Sequence, residues 1–454
     1  MLVLLLVFVC AILYYLRFRK MRKALYDISN ILPTVGDLPV LGHTHWFIGG
    51  PEKILSNLKQ LANLIESSGG TSKIWIGPSL YYVTLNPEDV QKILENCLDK
   101  DSSYKFLRSW LGNGLFVAPV DLWKQHRRQL VPLFHHRIIE DYIDVFGQQS
   151  AILLQRLEEQ VGKPEFDIYK YITSCMLDIV YETAMGEKMD VQHNPDTPYL
   201  RARSCVMSII NMRLFKAWLQ PDALFKLTPY AKLQKENIDY THKFTDEVVM
   251  KKKVEFEKHP EIKEGKKDLL ELLLQKAQFN NEQLREHIDS ITIAGNDTTA
   301  LVIAYVLLLL GHHPEEQEKV YKELKTIFGD SKRHPTKDDL HEMDSNVTLP
   351  AGVGCAVVPF IMHRSKKLWG PDADSFVPDR FLPENSVNRH PCSFIPFSYG
   401  SRNCIGRHFG MQVMKSVLST ILLTYKIKSR AIDRLKIEIL LFPVPGHMIT
   451  IEKR

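Results

Sequence analysis

Pro396-Phe397-Ser398-Tyr399-Gly400-Ser401-Arg402-Asn403-Cys404-Ile405-Gly406 sets one cysteine in a glycine-bounded loop directly ahead of a helical pattern. From Arg407 to Tyr425 apolar residues recur at helical spacing, and Met411, Met414, Leu418, Ile421 and Tyr425 fall on one predicted stripe. Cys404 therefore stands just before a helix N-terminus, where unpaired backbone N–H groups and the helix dipole both favour a thiolate. Gly400 suits a tight turn, and Gly406 lets the backbone approach a flat partner. Phe397 is placed to shield the sulfur from water, and Arg402 to meet an anionic group. Taken alone, the loop also admits an ordinary buried free cysteine.

Around this loop the composition is that of a globular chain. Hydrophobic residues at 45% and charged residues at 24% provide ample material for a core. A net charge of +5 is too small to argue for nucleic acid, and suits a membrane surface or an acidic protein partner. The seven cysteines are scattered, with no C-x-x-C pair, which argues against a disulfide framework or a structural zinc site. That pattern fits a reducing compartment.

At the N-terminus an apolar run from Leu2 to Leu16 is followed by Arg17, Arg19, Lys20, Arg22 and Lys23. No positive charge precedes the run and no small-x-small site comes after it, so it reads as a signal anchor rather than a cleaved signal. The basic cluster places the remainder of the chain on the cytosolic side. Residues 1–20 are the expected anchor and 21–45 a basic, proline-rich linker containing Leu32-Pro33-Thr34-Val35-Gly36. Residues 46–454 are the expected catalytic domain.

Within that domain, 73–76 and 81–85 predict a β-hairpin, and Asn86-Pro87 predicts a helix start. Asp121 to Arg128 predicts a helix with Trp123 and Arg127 on one face, able to hold carboxylates through an indole N–H and a guanidinium. Lys124 and Arg128 share a neighbouring face, either solvated or a docking site for an acidic partner. Residues 169–258 read as several amphipathic helices, and Lys258 to Asp268 as an exposed loop. Ile293-Ala294-Gly295-Asn296-Asp297-Thr298-Thr299-Ala300 and the apolar run to Leu310 predict a long buried helix. A glycine there costs about 1 kcal/mol and a buried aspartate more, unless each has a purpose. Thr298 is able to bond a backbone carbonyl and open the helix. The C-terminal segments 435–442 and 448–451 predict a closing hairpin about Pro443 to Gly446. His312-His313 has no third ligand in view, and no G-x-G-x-x-G nucleotide fingerprint occurs.

The Phe-x-x-Gly-x-Arg-x-Cys-x-Gly spacing of 397–406 resembles that of the heme-thiolate monooxygenases, the cytochrome P-450 superfamily. The chain is similar to its insect-type microsomal fatty-acid omega-hydroxylase branch. The resemblance implies a mainly α fold with a small β region and heme held by an axial thiolate from Cys404. It also implies propionate contacts from Trp123 and Arg127, and an oxygen-activation helix in which Ala294 and Gly295 admit the flat cofactor. Thr298 would steer protons toward dioxygen with Asp297 feeding the relay. Where this branch often carries an esterifying Glu, Ala294 stands, so noncovalent heme is expected. Implied partners are O2, a lipophilic substrate (a fatty acid or xenobiotic), and an NADPH-dependent reductase, at the endoplasmic reticulum membrane with the catalytic domain cytosolic. No nucleic acid is implied.

One departure is large. Between Met343-Asp344 and Thr348-Leu349-Pro350 only Ser345, Asn346 and Val347 stand where the family places a Glu-x-x-Arg helix and an adjacent strand. A core helix and strand are therefore expected to be absent near residue 344. Arg380, in Phe376-Val377-Pro378-Asp379-Arg380-Phe381, is expected to lose its buried partners, a loss of about 3–5 kcal/mol for a broken buried pair. The alternative to a working monooxygenase is a membrane-anchored remnant or splice form that binds heme poorly or not at all.

Overall fold

The computed structural model describes residues 5, 8–10, 12–13, 16–17, 20, 23–38, 42–77, 79–258, 267–328 and 353–454. Its principal elements in chain order are α1 (Pro51–Ser67), β1 (Thr71–Ile76), β2 (Ser79–Thr84), α2 (Pro87–Asn96), α3 (Val120–Leu130), α4 (Ile143–Glu158), β3 (Phe166–Asp167), α5 (Ile168–Met185), α6 (Pro198–Phe215), α7 (Pro229–Lys258), α8 (Asn281–His312), β4 (Gly354–Ala356), α9 (Arg407–Thr424), β5 (Tyr425–Ser429), β6 (Leu435–Ile437), β7 (Leu441–Pro443) and β8 (Met448–Lys453). The protein is mainly helical with small sheets, as expected. Most of the predicted loop at 258–268 and the gap near residue 344 lie outside the described residues.

Two compact units are distinguished, Met1–Leu98 with Leu340–Asn403, and Asp99–Asp339 with Cys404–Arg454. In the first, β1 and β2 form the predicted antiparallel hairpin, and β4 lies parallel to β2. Leu61 and Ile65 of α1 bury against Ile74, Val83 and Leu85 of the hairpin side. Part of the expected linker is docked on it: Lys73 N–H donates to the Pro33 carbonyl and His43 N–H to that of Trp75, both at 2.8 Å.

In this unit Arg380 is satisfied. Its guanidinium donates to the carbonyls of Trp369 (2.8 Å) and Asp372 (2.7 Å) and pairs with the Asp372 carboxylate at 2.6 Å. The expected unpaired charge does not arise, because a nearby turn supplies an acid and two carbonyls.

The second unit is built on α8. A capping box between Asn280 and Gln283 starts this helix, and it packs on α5, α7 and α9. Ala300, Ile303, Ala304 and Leu307 are fully buried, so the apolar run is core, as predicted. The buried stripe of α9 matches the predicted one only toward its end: Ile421 and Tyr425 are buried, but Val413 and Val417 face inward where Met411, 39% exposed, and the half-buried Met414 and Leu418 were expected. The predicted C-terminal hairpin is also corrected. β6 pairs with β7, whereas β8 pairs with β5 and β3 in a separate sheet. The alternation of both segments suited either pairing, and tertiary context chose.

Candidate functional site

The cysteine loop is divided between the units, and each part has its own supports. In the first unit the approach is fixed by His363, whose Nε2 accepts the Ile395 N–H at 3.0 Å. Ile395 and Cys392 bury with Val90 of α2 and Met362. Gly400 adopts φ +70°, and a Cβ there would lie 2.4 Å from the Leu94 carbonyl oxygen, so the tight turn requires glycine. Asn403 N–H closes the turn onto the Gly400 carbonyl at 3.0 Å. Phe397 and Arg402, half-buried, belong to this unit.

In the second unit Cys404 stands two residues ahead of Gly406, the N-cap of α9. Its side chain is exposed, although neighbouring atoms crowd it on one side. Burial pushes the thiol up, while the Gly406 N–H and the Arg127 guanidinium pull it down. The helix terminus and the arginine thus act in the expected sense, but burial outweighs them in the free protein. A bound cation reverses that balance, since a coordinating thiol is deprotonated.

On α3, Trp123 is buried and the Arg127 guanidinium lies 5.8 Å from its ring centroid. Burial lowers the Arg127 pKa and the nearby Cys404 sulfur raises it. Trp123, Arg127 and Cys404 are therefore members of one neighbourhood. Lys124 and Arg128 are exposed.

The middle of α8 has one bare stripe. Ala294 and Thr298 are exposed, and Val302 is 46% exposed, at i, i+4 and i+8, while the other residues of the helix there are buried or half-buried. The Thr298 hydroxyl donates to the Ala294 carbonyl at 2.6 Å, as expected. Asp297 does not share that stripe. Its carboxylate pairs with Arg203 of α6 at 2.6 Å and accepts from the Asn296 amide at 3.2 Å. Gly295 also faces elsewhere: a Cβ there would meet Val180 Cγ2 of α5 at 3.2 Å. Its missing side chain makes room for a neighbouring helix. Arg203 carried no signal in the sequence, since one arginine in an amphipathic helix is ordinarily solvated.

These residues fit a flat iron-bearing group. The open sulfur supplies a soft ligand, and among the described residues a Cβ on Gly406 would meet only the Cys404 sulfur, at 4.0 Å. Ala294, Thr298 and Val302 present small side chains on an uncovered helix face, and Arg127 and Trp123 supply donors for carboxylates.

A family model described as Cytochrome P450 matches residues 33–345 and 344–450, in two pieces that meet where the departure was read. "Cytochrome P450 4c3" of Drosophila melanogaster is 33% identical, covering 98% of this chain and 93% of the relative. That alignment runs over 502 positions, so against a chain of 454 residues at least 48 of them (502 less 454) face nothing here. "Cytochrome P450 4V2" of Homo sapiens is 32% identical, covering 84% of this chain and 82% of the relative. The crystal structure of the cytochrome P450DA heme domain superposes with a TM-score of 0.77 at 21% identity, over 93% of this chain and 98% of that one, a likeness of fold.

Proposed function

The chain belongs to the cytochrome P450 family of heme-thiolate monooxygenases acting on lipophilic substrates, and we propose that it hydroxylates a fatty acid or a xenobiotic, using NADPH electrons delivered by a separate reductase. The observation that carries this reading is the open Cys404 sulfur, in the same unit as the uncovered Ala294–Thr298–Val302 face. Heme, when bound, supplies the oxygen chemistry, with thiolate donation favouring O–O cleavage.

The chain's own residues divide the remaining work. Cys404 holds the iron, and Trp123 and Arg127 hold the propionates. Ala294 leaves the porphyrin unesterified. Thr298 keeps its hydroxyl proton at a fixed place, and Asp297 backs it in the relay. Phe397, Gly400 and Arg402 keep the parts that the motif gives them. Lys124 and Arg128 offer an exposed basic face to an acidic reductase. The N-terminal segment anchors the enzyme at the endoplasmic reticulum, catalytic domain in the cytosol. In support, Leu5, Phe8, Val9, Ile12, Leu13 and Leu16 are 41–64% exposed, surface that a bilayer would cover.

A second reading, a remnant that holds heme poorly, is favoured by the two-piece family match and the unmatched positions. One assay separates them. The purified chain, reductase and NADPH are offered a long-chain fatty acid and a neutral hydrophobic compound under O2. Hydroxylated product from either supports the monooxygenase; absence of heme absorbance from the same preparation supports the remnant.

A further inference from the structure

The half of α8 ahead of Thr298 is a core helix with a polar seam. Arg285, Asp289, Thr292 and Asn296 recur at spacings of four, three and four, so they share one face. Asp289 is 2% exposed, and Thr292 and Asn296 are fully buried. Among the described residues, Asp289 Oδ2, Thr292 Oγ1 and Asn296 Oδ1 each lack a protein hydrogen-bond partner. Three such atoms in one row demand an explanation, since native proteins pair nearly all buried polar groups with protein or ordered water.

The ends of the seam are not open questions. At one end Arg285 pairs at 3.3 Å with Asp246, which is 43% exposed. Next, Thr245 Oγ1 donates to Asp289 Oδ1 at 2.7 Å. At the other end the Asn296 amide donates to Asp297, the residue before Thr298. Neighbouring side chains on a helix face start about 5–6 Å apart, a span that one water bridges at about 2.8 Å to each side.

We infer that this seam is a file of internal waters that carries protons from the surface at Asp246 and Arg285, past Asp289, Thr292 and Asn296, to Asp297 and Thr298. Each water, the Asp289 carboxyl and the Thr292 hydroxyl accepts a proton from the solvent side and releases one to the next, while the Asn296 amide oxygen only accepts a hydrogen bond and so holds a water in place. The net change is one proton moved inward, with no bond order altered and no co-reactant consumed. The inference rests on the reading of Thr298 as the terminal proton donor. Burial lifts the Asp289 carboxyl to about 7, with Thr245 and Arg285 pulling down and Asp246 and Glu286 pushing up. A group poised there exchanges protons readily at neutral pH. A dry seam would serve only helix packing, and would waste three buried polar atoms.

Thr292→Val tests this in the holoenzyme, with wild type and Thr298→Ala alongside. A high-resolution structure of the wild type should show ordered water bonded to Asp289 Oδ2, Thr292 Oγ1 and Asn296 Oδ1. In Thr292→Val, the share of NADPH electrons released as peroxide should rise roughly threefold or more. Its melting temperature should not rise, because a hydroxyl with a water partner loses that bond. A dry seam, or a gain in melting temperature with full coupling, overturns the inference. If Thr298→Ala uncouples while Thr292→Val stays coupled, the file alone falls; if Thr298→Ala stays coupled, the relay and the file fall together.

Discussion

At Cys404, three influences on one thiol oppose each other: burial raises its pKa, while the Gly406 N–H and the Arg127 guanidinium lower it. Removing the arginine charge by Arg127→Leu should therefore move the thiol's titration further up in the heme-free protein. Alkylation rate against pH measures this, and an unchanged profile would separate Arg127 from the sulfur. Thr298→Ala should divert NADPH electrons to peroxide, and tight coupling in that variant would remove Thr298 from the proton path. Cys404 and Thr298 were singled out in the sequence because each lies in a short motif that the resemblance names, although the cysteine loop taken alone also admits an ordinary buried thiol. Arg203 was not, since its partner Asp297 is distant in the chain. Arg380 was misread because the sequence showed which partners were absent but not that Asp372 was within reach.

Among the elements, α8 carries the most information. Its apolar run was readable as core from length and composition, whereas the purpose of Gly295 was not. The substitution Gly295→Leu should cost about 1–3 kcal/mol by overpacking against Val180. Adding Val180→Ala should recover much of that loss in chemical unfolding. Failure of rescue would return Gly295 to the cofactor side. Asp289 gives this helix a pH signature. With its carboxyl raised to about 7 by burial, the folded protein keeps a proton that the unfolded chain has released. Its contribution to stability is full below about pH 4 and declines as pH rises through 7. Asp289→Asn should flatten that decline across pH 4–7, and an identical slope in both proteins would contradict it. The strands were less legible. Alternation marked 435–442 and 448–451 as extended, but period-two patterning does not specify a partner, and β8 pairs with β5 and β3.

For the whole molecule, fold class and family were readable from a handful of residues spread over the chain, and the matching family model extends that over most of it. Deleting residues 1–23 should release the protein from membranes at least in part, as judged by sedimentation of microsomes; full retention would place the attachment elsewhere. The break at residues 344–345 bears on the one property that everything else requires, which is whether this chain holds heme through Cys404. The most direct measurement is the reduced, carbon monoxide-treated absorbance spectrum of the purified full-length chain beside Cys404→Ala. A thiolate-type Soret band in the former that vanishes in the latter is the predicted result; no heme absorbance, or a band that survives the substitution, would contradict it.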